Sequence, residues 1–276
     1  MEEGKIQWHP AFGAALRIEL AEELEKVQIE EEHLLGKSPL QIDIVLLKKN
    51  PGEKIVKNIG RIFRSYNIIE YKSPDDNLSI RDFYKVYAYV CLYQAEEKKK
   101  IAPEELTITF VCNHYPRKML KHITRKRGMK VEKVEAGIYY LQGDFFPMQL
   151  IITKKLTKDK NYWLQSLRKD LTPGGEIQDL IEQYEPNKHE SLYQAVMNVV
   201  MRANWEAAEE ERKMCEALKE LFAEEIAEGE AKGMAKGEER FGKLNLLLLE
   251  KGQYESLKRA SEDKDYREAL FKEFGI

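Results

Sequence analysis

The sequence predicts an α/β protein with a mixed central sheet flanked by helices, followed by an all-helical C-terminal region. Three observations carry this. Short apolar or alternating segments separate helical ones up to about residue 155. Beyond "TPGG", Thr172–Gly175, only helical periodicity continues. A chain of 276 residues with 43% hydrophobic content can bury a sizeable core and carry an appendage. The sequence therefore divides into a front domain, residues 1–172, and a helical C-terminal region, residues 173–276.

The first helix is expected over Pro10–Glu25, "PAFGAALRIELAEELE": Pro suits the first turn, and Phe12, Leu16, Leu20 and Leu24 recur every four residues. Val27–Leu35 and Leu40–Leu47 read as strands joined by "GKSP". The second is apolar except for Asp43, and a carboxylate in a buried strand needs a reason. After the turn "KKNPGEK", Ile59–Lys72 is a third strand, ended by Pro74. Ser79 and Asp82 have the spacing of a capping box, and Ile80, Phe83, Tyr84, Tyr87 and Cys91 then share one helical face. "ELTITFVC", Glu105–Cys112, alternates Thr with apolar residues as a strand does. Pro116–Arg127 reads as a basic helix, with short strands at Lys130–Val134, Ile138–Leu141 and Met148–Ile152.

The formal charge is −3, so no global positive field draws nucleic acid and any such binding needs a local patch. Cys91, Cys112 and Cys215 are odd in number and share no spacing, which predicts reduced thiols in a cytoplasmic protein. "MEEGKIQWHP" lacks the apolar core of a signal peptide, and "LNLLLL", Leu244–Leu249, is too short to cross a bilayer. Trp205–Arg240 holds twelve Glu against six Lys or Arg, a local charge of −6. Gly229, Gly233 and Gly237 each cost a helix about 1 kcal/mol relative to Ala, which predicts a weak or hinged helix, or a stripe admitting a partner helix. The five histidines lack metal-ligand spacing, Cys112 and His114 fit a turn, and no glycine-rich phosphate loop follows a strand.

Glu70 and Lys72 lie two apart at the end of "YNIIEYK", so both point to one face of a strand and Tyr71 to the other. The plain account of such a pair is a salt bridge at a strand end. Asp43 raises a second account: if its strand pairs with the next, Asp43 and Glu70 can form a dicarboxylate beside an ammonium. Two carboxylates held that close repel unless a cation lies between them, and a hard, oxygen-seeking ion such as Mg²⁺ fits. Lys72 could then orient or deprotonate a metal-bound water and offset charge on a phosphate.

Asp43, followed by Glu70-Tyr71-Lys72 and preceded by a helix carrying Glu19, resembles the pattern of the PD-(D/E)xK nuclease superfamily, whose core is restriction-endonuclease-like. More narrowly, "IDIVLLKK", "YNIIEYKSPDDNLSIRDFYKVYAYVCLYQ" and "YREALFKEFGI" resemble the Rpn-type recombination-promoting nucleases, a group also labelled transposases. The resemblance touches most of the chain and is most specific in the middle stretch. It implies a metal-dependent DNA endonuclease that hydrolyses phosphodiesters with a metal-activated water, linked to recombination or mobile elements. Asp43 and Glu70 would be ligands of Mg²⁺ or Mn²⁺, with the Tyr71 carbonyl a third and Glu19 completing the site; Glu22 or Glu23 could take the place of Glu19. Lys72 would be the catalytic lysine, and Lys85 or Gln94 could lie nearby. Ile42 stands where the superfamily name has a proline. Asp75 and Asp76 fit turn chemistry before a helix.

"YPRKMLKHITRKRGMK" carries Arg117, Lys118, Lys121, Arg125, Lys126 and Arg127 with no acid, so a helix here can lie along DNA phosphates and bind without reading bases. Cutting both strands usually takes two sites, so a homodimer through the C-terminal helices is expected, with no membrane partner. Two rival functions remain: a nuclease fold that binds DNA or protein while cleaving weakly, and a helical interaction module carried on a scaffold.

Overall fold

The computed structural model describes residues 6–31, 44–96, 100–209, 215–223, 240–249 and 253–275. It divides into two compact units, Met1–Ala217 and Leu218–Ile276. The first holds seven strands: β1 (Val27–Glu30), β2 (Ile44–Lys49), β3 (Tyr66–Tyr71), β4 (Leu106–Cys112), β5 (Lys130–Glu135), β6 (Ile138–Gln142) and β7 (Met148–Ile152). They form one sheet in the order β1-β2-β3-β4-β7-β6-β5. β3, β4 and β7 run parallel at the centre, and antiparallel pairs close both sides. Every residue of β4 and β7 is buried, as expected of central strands covered on both faces. The outermost β5, "KVEKVE", is mostly exposed, and its alternating charges blunt an open edge.

Helices α1 (Trp8–Glu19), α2 (Ile80–Glu96), α3 (Arg117–Arg127), α4 (Lys158–Ser166), α5 (Gly175–Tyr184) and α6 (Ser191–Ala203) cover this sheet. One face carries α2 and α3 in a continuous core with Ile68, Ile108, Phe110 and Leu150. On the other, Phe12 of α1 stacks on Tyr71, and α4 and α6 pack against α1. The buried stripe Val196, Met197, Val200 and Met201 thus makes α6 part of the front unit, and Asn204 ties it there through Leu171 N–H and Arg168 O. No strand follows Ile152 among the described residues.

Several elements differ in detail from expectation. The first helix stops at Glu19 and tightens into a 3₁₀ segment, Ala21–Lys26. With three residues per turn the four-residue stripe is lost, and Leu24 is 39% exposed. β3 begins at Tyr66 rather than Ile59. There Asn67 closes a turn, accepting from Arg64 N–H and donating to Arg64 O, and so bends the chain before the strand. On α2 the buried seam is Phe83, Val86, Val90 and Tyr93, not the face through Tyr84 and Cys91. Tyr84 and Tyr87 instead turn toward α3, where they meet His122 and Arg127. Gly137 adopts a φ of +76° between β5 and β6, where a Cβ would lie 2.8 Å from Leu156 N; only glycine fits that approach.

Among the described residues the C-terminal unit holds the end of a short helix, Glu216–Leu221, helical residues 240–249, and helices Tyr254–Glu262 and Lys264–Phe274. Leu244, Leu248, Ala260, Leu270 and Phe271 form its core. Asp263 caps the last helix by accepting Tyr266 N–H, and Gly275 ends it at a left-handed φ of +66°. Gly229, Gly233 and Gly237 lie outside the described residues.

Candidate active site

Lys72 extends β3 by donating its N–H to Val111 O at 2.8 Å. Alternation then sets Glu70 and Lys72 on the α2 side of the sheet and Tyr71 on the α1 side. Glu70 is 3% exposed. Lys72 Nζ lies 2.9 Å from Glu70 Oε1 and 3.0 Å from Asp82 Oδ1, so one ammonium bridges two carboxylates. Asp82 sits in the first turn of α2, where the expected capping box forms: Ser79 donates its N–H and Oγ–H to Asp82 Oδ2, and Asp82 N–H donates to Ser79 Oγ. The cap thereby aims the second Asp82 oxygen at Lys72. From the sequence, Asp82 reads as a helix signal alone. The clue to its second role was its distance of one loop from an E-x-K strand end.

Burial raises the Glu70 carboxyl above its usual range, with Lys72 only partly opposing. For Lys72, burial pulls downward, but Glu70 and Asp82 outweigh it and the ammonium is held above its ordinary value. Burial would raise Asp82; its bonds to Ser79 and Lys72 instead bring it below the usual range. Lys72 is therefore a firmly protonated donor. Glu70 Oε2 is buried and has no hydrogen-bond partner among the described residues. Exposed Lys85, one helical turn beyond Asp82, adds positive field at Glu70.

The other expected residues are distributed as follows. Asp43 lies outside the described residues; its neighbour Ile44 pairs with Glu70. The Tyr71 ring is buried, stacked on Phe12 at 4.3 Å. Glu19 is buried and occupied: its Oε1 accepts from Trp163 and Leu164 N–H, at 2.8 and 3.2 Å, and its Oε2 pairs with Lys57 at 2.7 Å. It holds the interrupted helix α4, whose Asn161 leaves helical geometry. Glu23 likewise accepts from Val56 and Lys57 N–H, while Glu22 is exposed. Gln94 donates to Ile101 O. Asp76 accepts from Ser73 Oγ, closing the turn after β3. The Cys112 thiol, pushed up to about 12 by burial, donates to His114 O.

On α3, Arg117, Lys118, Lys121, Arg125 and Lys126 are exposed, as a phosphate-tracking face requires. Arg127 departs from them. Its Nε and Nη2 donate to Asp144 at 3.1 and 2.6 Å, and its guanidinium lies 4.6 Å from the Tyr87 ring centre.

No group of three or more His, Cys, Asp or Glu side chains among the described residues is arranged to hold a metal ion. No described helix is long and apolar enough to cross a membrane. Set against family models, curated protein sequences and solved structures, the chain matches none of them.

Proposed function

We propose that this protein is a Mg²⁺-dependent endodeoxyribonuclease of the PD-(D/E)xK kind, with a restriction-endonuclease-like core and a link to DNA recombination. The observation that carries the reading is Glu70: a buried carboxylate with one oxygen that has no partner among the described residues, beside an ammonium on the same strand face. Buried polar atoms normally find partners, and a carboxylate oxygen is a donor that Mg²⁺ or Mn²⁺ favours. Glu70 and Asp43 would hold the ion, with the Tyr71 carbonyl a third ligand. Bound there, the ion would supply a more acidic water and neutralise phosphate charge.

Lys72, kept protonated, donates a hydrogen bond and positive charge to a phosphate oxygen. Asp82 is a positioning residue that fixes the direction of that ammonium. Glu19 is left out of this proposal, because its oxygens serve α4 and Lys57. Ile44 stands opposite Glu70, and opposed residues share a sheet face, so a carboxylate on residue 43 reaches Glu70 only if the chain leaves the regular pleat before Ile44. The free state of all three cysteines supports a reducing, cytoplasmic setting.

One observation favours the rival reading. Lys72 already satisfies two carboxylates, which suits an inert strut in a fold that binds DNA without cutting it. Calorimetric titration with Mn²⁺ separates the two. The nuclease reading predicts binding that Glu70→Gln and Asp43→Asn each weaken at least tenfold; equal heats from all three proteins support the strut.

A further inference from the structure

We propose that Arg81 and Lys85 of α2 extend the basic row of α3 into one surface that grips the phosphates of duplex DNA beside Lys72. This rests on the nuclease reading and names the residues that hold its substrate. α2 follows β3 and α3 follows β4, and the two strands are parallel, so both helices start at one edge of the sheet. Lys72 lies at that edge, paired with Asp82 in the first turn of α2. His114 Nε2 lies 3.1 Å from Pro74 O, which joins the loops leading into the two helices. Tyr84 Oη and His122 Nε2, 2.9 Å apart, join the helices themselves. Lys85 is near enough to Glu70 to add positive field there.

The buried seams, Phe83, Val86 and Val90 on α2 and Met119, Leu120 and Ile123 on α3, face the core. Opposite them, Arg81, Tyr84, Lys85 and Ala88 recur at helical spacing and are exposed, as do Lys118, Lys121 and Arg125. Asp82 and Asp144, which border these helices, are engaged, the first with Lys72 and Ser79 and the second with Arg127 and Tyr87. Elsewhere in the unit surface cations meet carboxylates: Lys48 meets Glu30, Arg61 and Lys160 share Glu135, and Lys158 meets Asp179. Among the described residues no carboxylate pairs with Arg81, Lys118, Lys121 or Arg125. Arg117 and Lys118 also open α3, where the helix dipole favours an acid, and no acid stands in that turn. Charges so placed repel one another in the free protein, and a row of phosphates relieves that repulsion. The α3 row has no apolar side chain to enter a bilayer, so the polyanion it fits is a nucleic-acid backbone.

The test is fluorescence anisotropy with a labelled DNA duplex, titrated over a range of salt in EDTA. The proposed contacts are side-chain cations, so binding does not need the metal, and EDTA removes cleavage from the measurement. Each lost phosphate contact lowers the slope of log affinity against log salt by about 0.9. Arg81→Gln with Lys85→Gln should therefore take about 2 from the wild-type slope, and Lys118→Gln with Lys121→Gln and Arg125→Gln about 3. Lys48→Gln with Lys158→Gln, which removes two cations that already have partners, should keep the wild-type slope. The proposal is overturned if wild type does not bind, if the α2 variant keeps the wild-type slope, or if the Lys48 and Lys158 variant loses as much. Tighter binding to phosphatidylserine vesicles than to DNA, lost in the same variants, overturns it in favour of a lipid surface. Each of these results leaves the nuclease reading standing if wild type still nicks plasmid in Mg²⁺. Absence of both binding and nicking, from a protein that circular dichroism shows to be folded, overturns both.

Discussion

Asp82 Oδ1 lies 3.0 Å from Lys72 Nζ, joining the first turn of α2 to the residue just past β3. The same carboxylate caps its helix through Ser79. One side chain thus starts α2 and steadies the ammonium proposed to act on phosphate. Asp82→Ala should cost about 1–2 kcal/mol for the lost cap. It should also slow cleavage about tenfold, because Lys72 keeps only Glu70 to direct it. Urea unfolding with a nicking assay checks both, and a variant as stable and active as wild type removes the positioning role.

Lys72→Met leaves Glu70 buried without its charge partner. Removing one member of a buried pair costs about 3–5 kcal/mol, and the Lys72 side chain is 22% exposed, so about 3 kcal/mol is expected at pH 8. The sign of the pH dependence follows from Glu70. Its folded pKa lies above 4.5 and rises further without Lys72, so above that value the fold must bury an unpaired charge. As pH falls through the raised pKa, Glu70 takes a proton and the penalty fades. The deficit relative to wild type should therefore shrink between pH 8 and pH 5 in thermal melts. In wild type, Lys72's raised pKa contributes stability that is present below 10.5 and lost as pH rises through the higher folded value. A deficit independent of pH contradicts this account.

Glu19→Gln weakens three bonds at once, two to the α4 backbone and one to Lys57. The expected outcome is a loss of about 1–3 kcal/mol in stability, with the metal dependence of cleavage unchanged below the melting temperature. Loss of metal binding with stability intact would place Glu19 in the site after all.

These outcomes also mark how far the sequence could be read. The strand-ending E-x-K pair was legible because alternation along a strand is fixed by backbone geometry, and Glu70 and Lys72 do meet. The basic helix was legible from composition, but Arg127 was not separable from its neighbours: Asp144, which claims it, lies seventeen residues on and two strands away. Glu19 shows the same limit. Its spacing matched a helix glutamate, yet Trp163 and Leu164, which occupy it, come 144 and 145 residues later. The seam of α2 was misread because aromatic residues cover two adjacent stripes, and only the sheet decides which is buried. The compact unit runs to Ala217 although strand signals end near residue 155, because α6 rests on α1 at the opposite end of the unit's sequence. Local patterns thus located elements, and contacts between distant segments assigned the side chains.

Plasmid nicking tests the central claim most directly, with wild type, Lys72→Ala and Asp43→Asn compared in Mg²⁺ and in EDTA. The account predicts that wild type nicks in Mg²⁺, that EDTA abolishes it, and that either substitution removes it while circular dichroism shows the fold intact. Equal nicking by all three proteins, or none by wild type in Mg²⁺ or Mn²⁺, contradicts it.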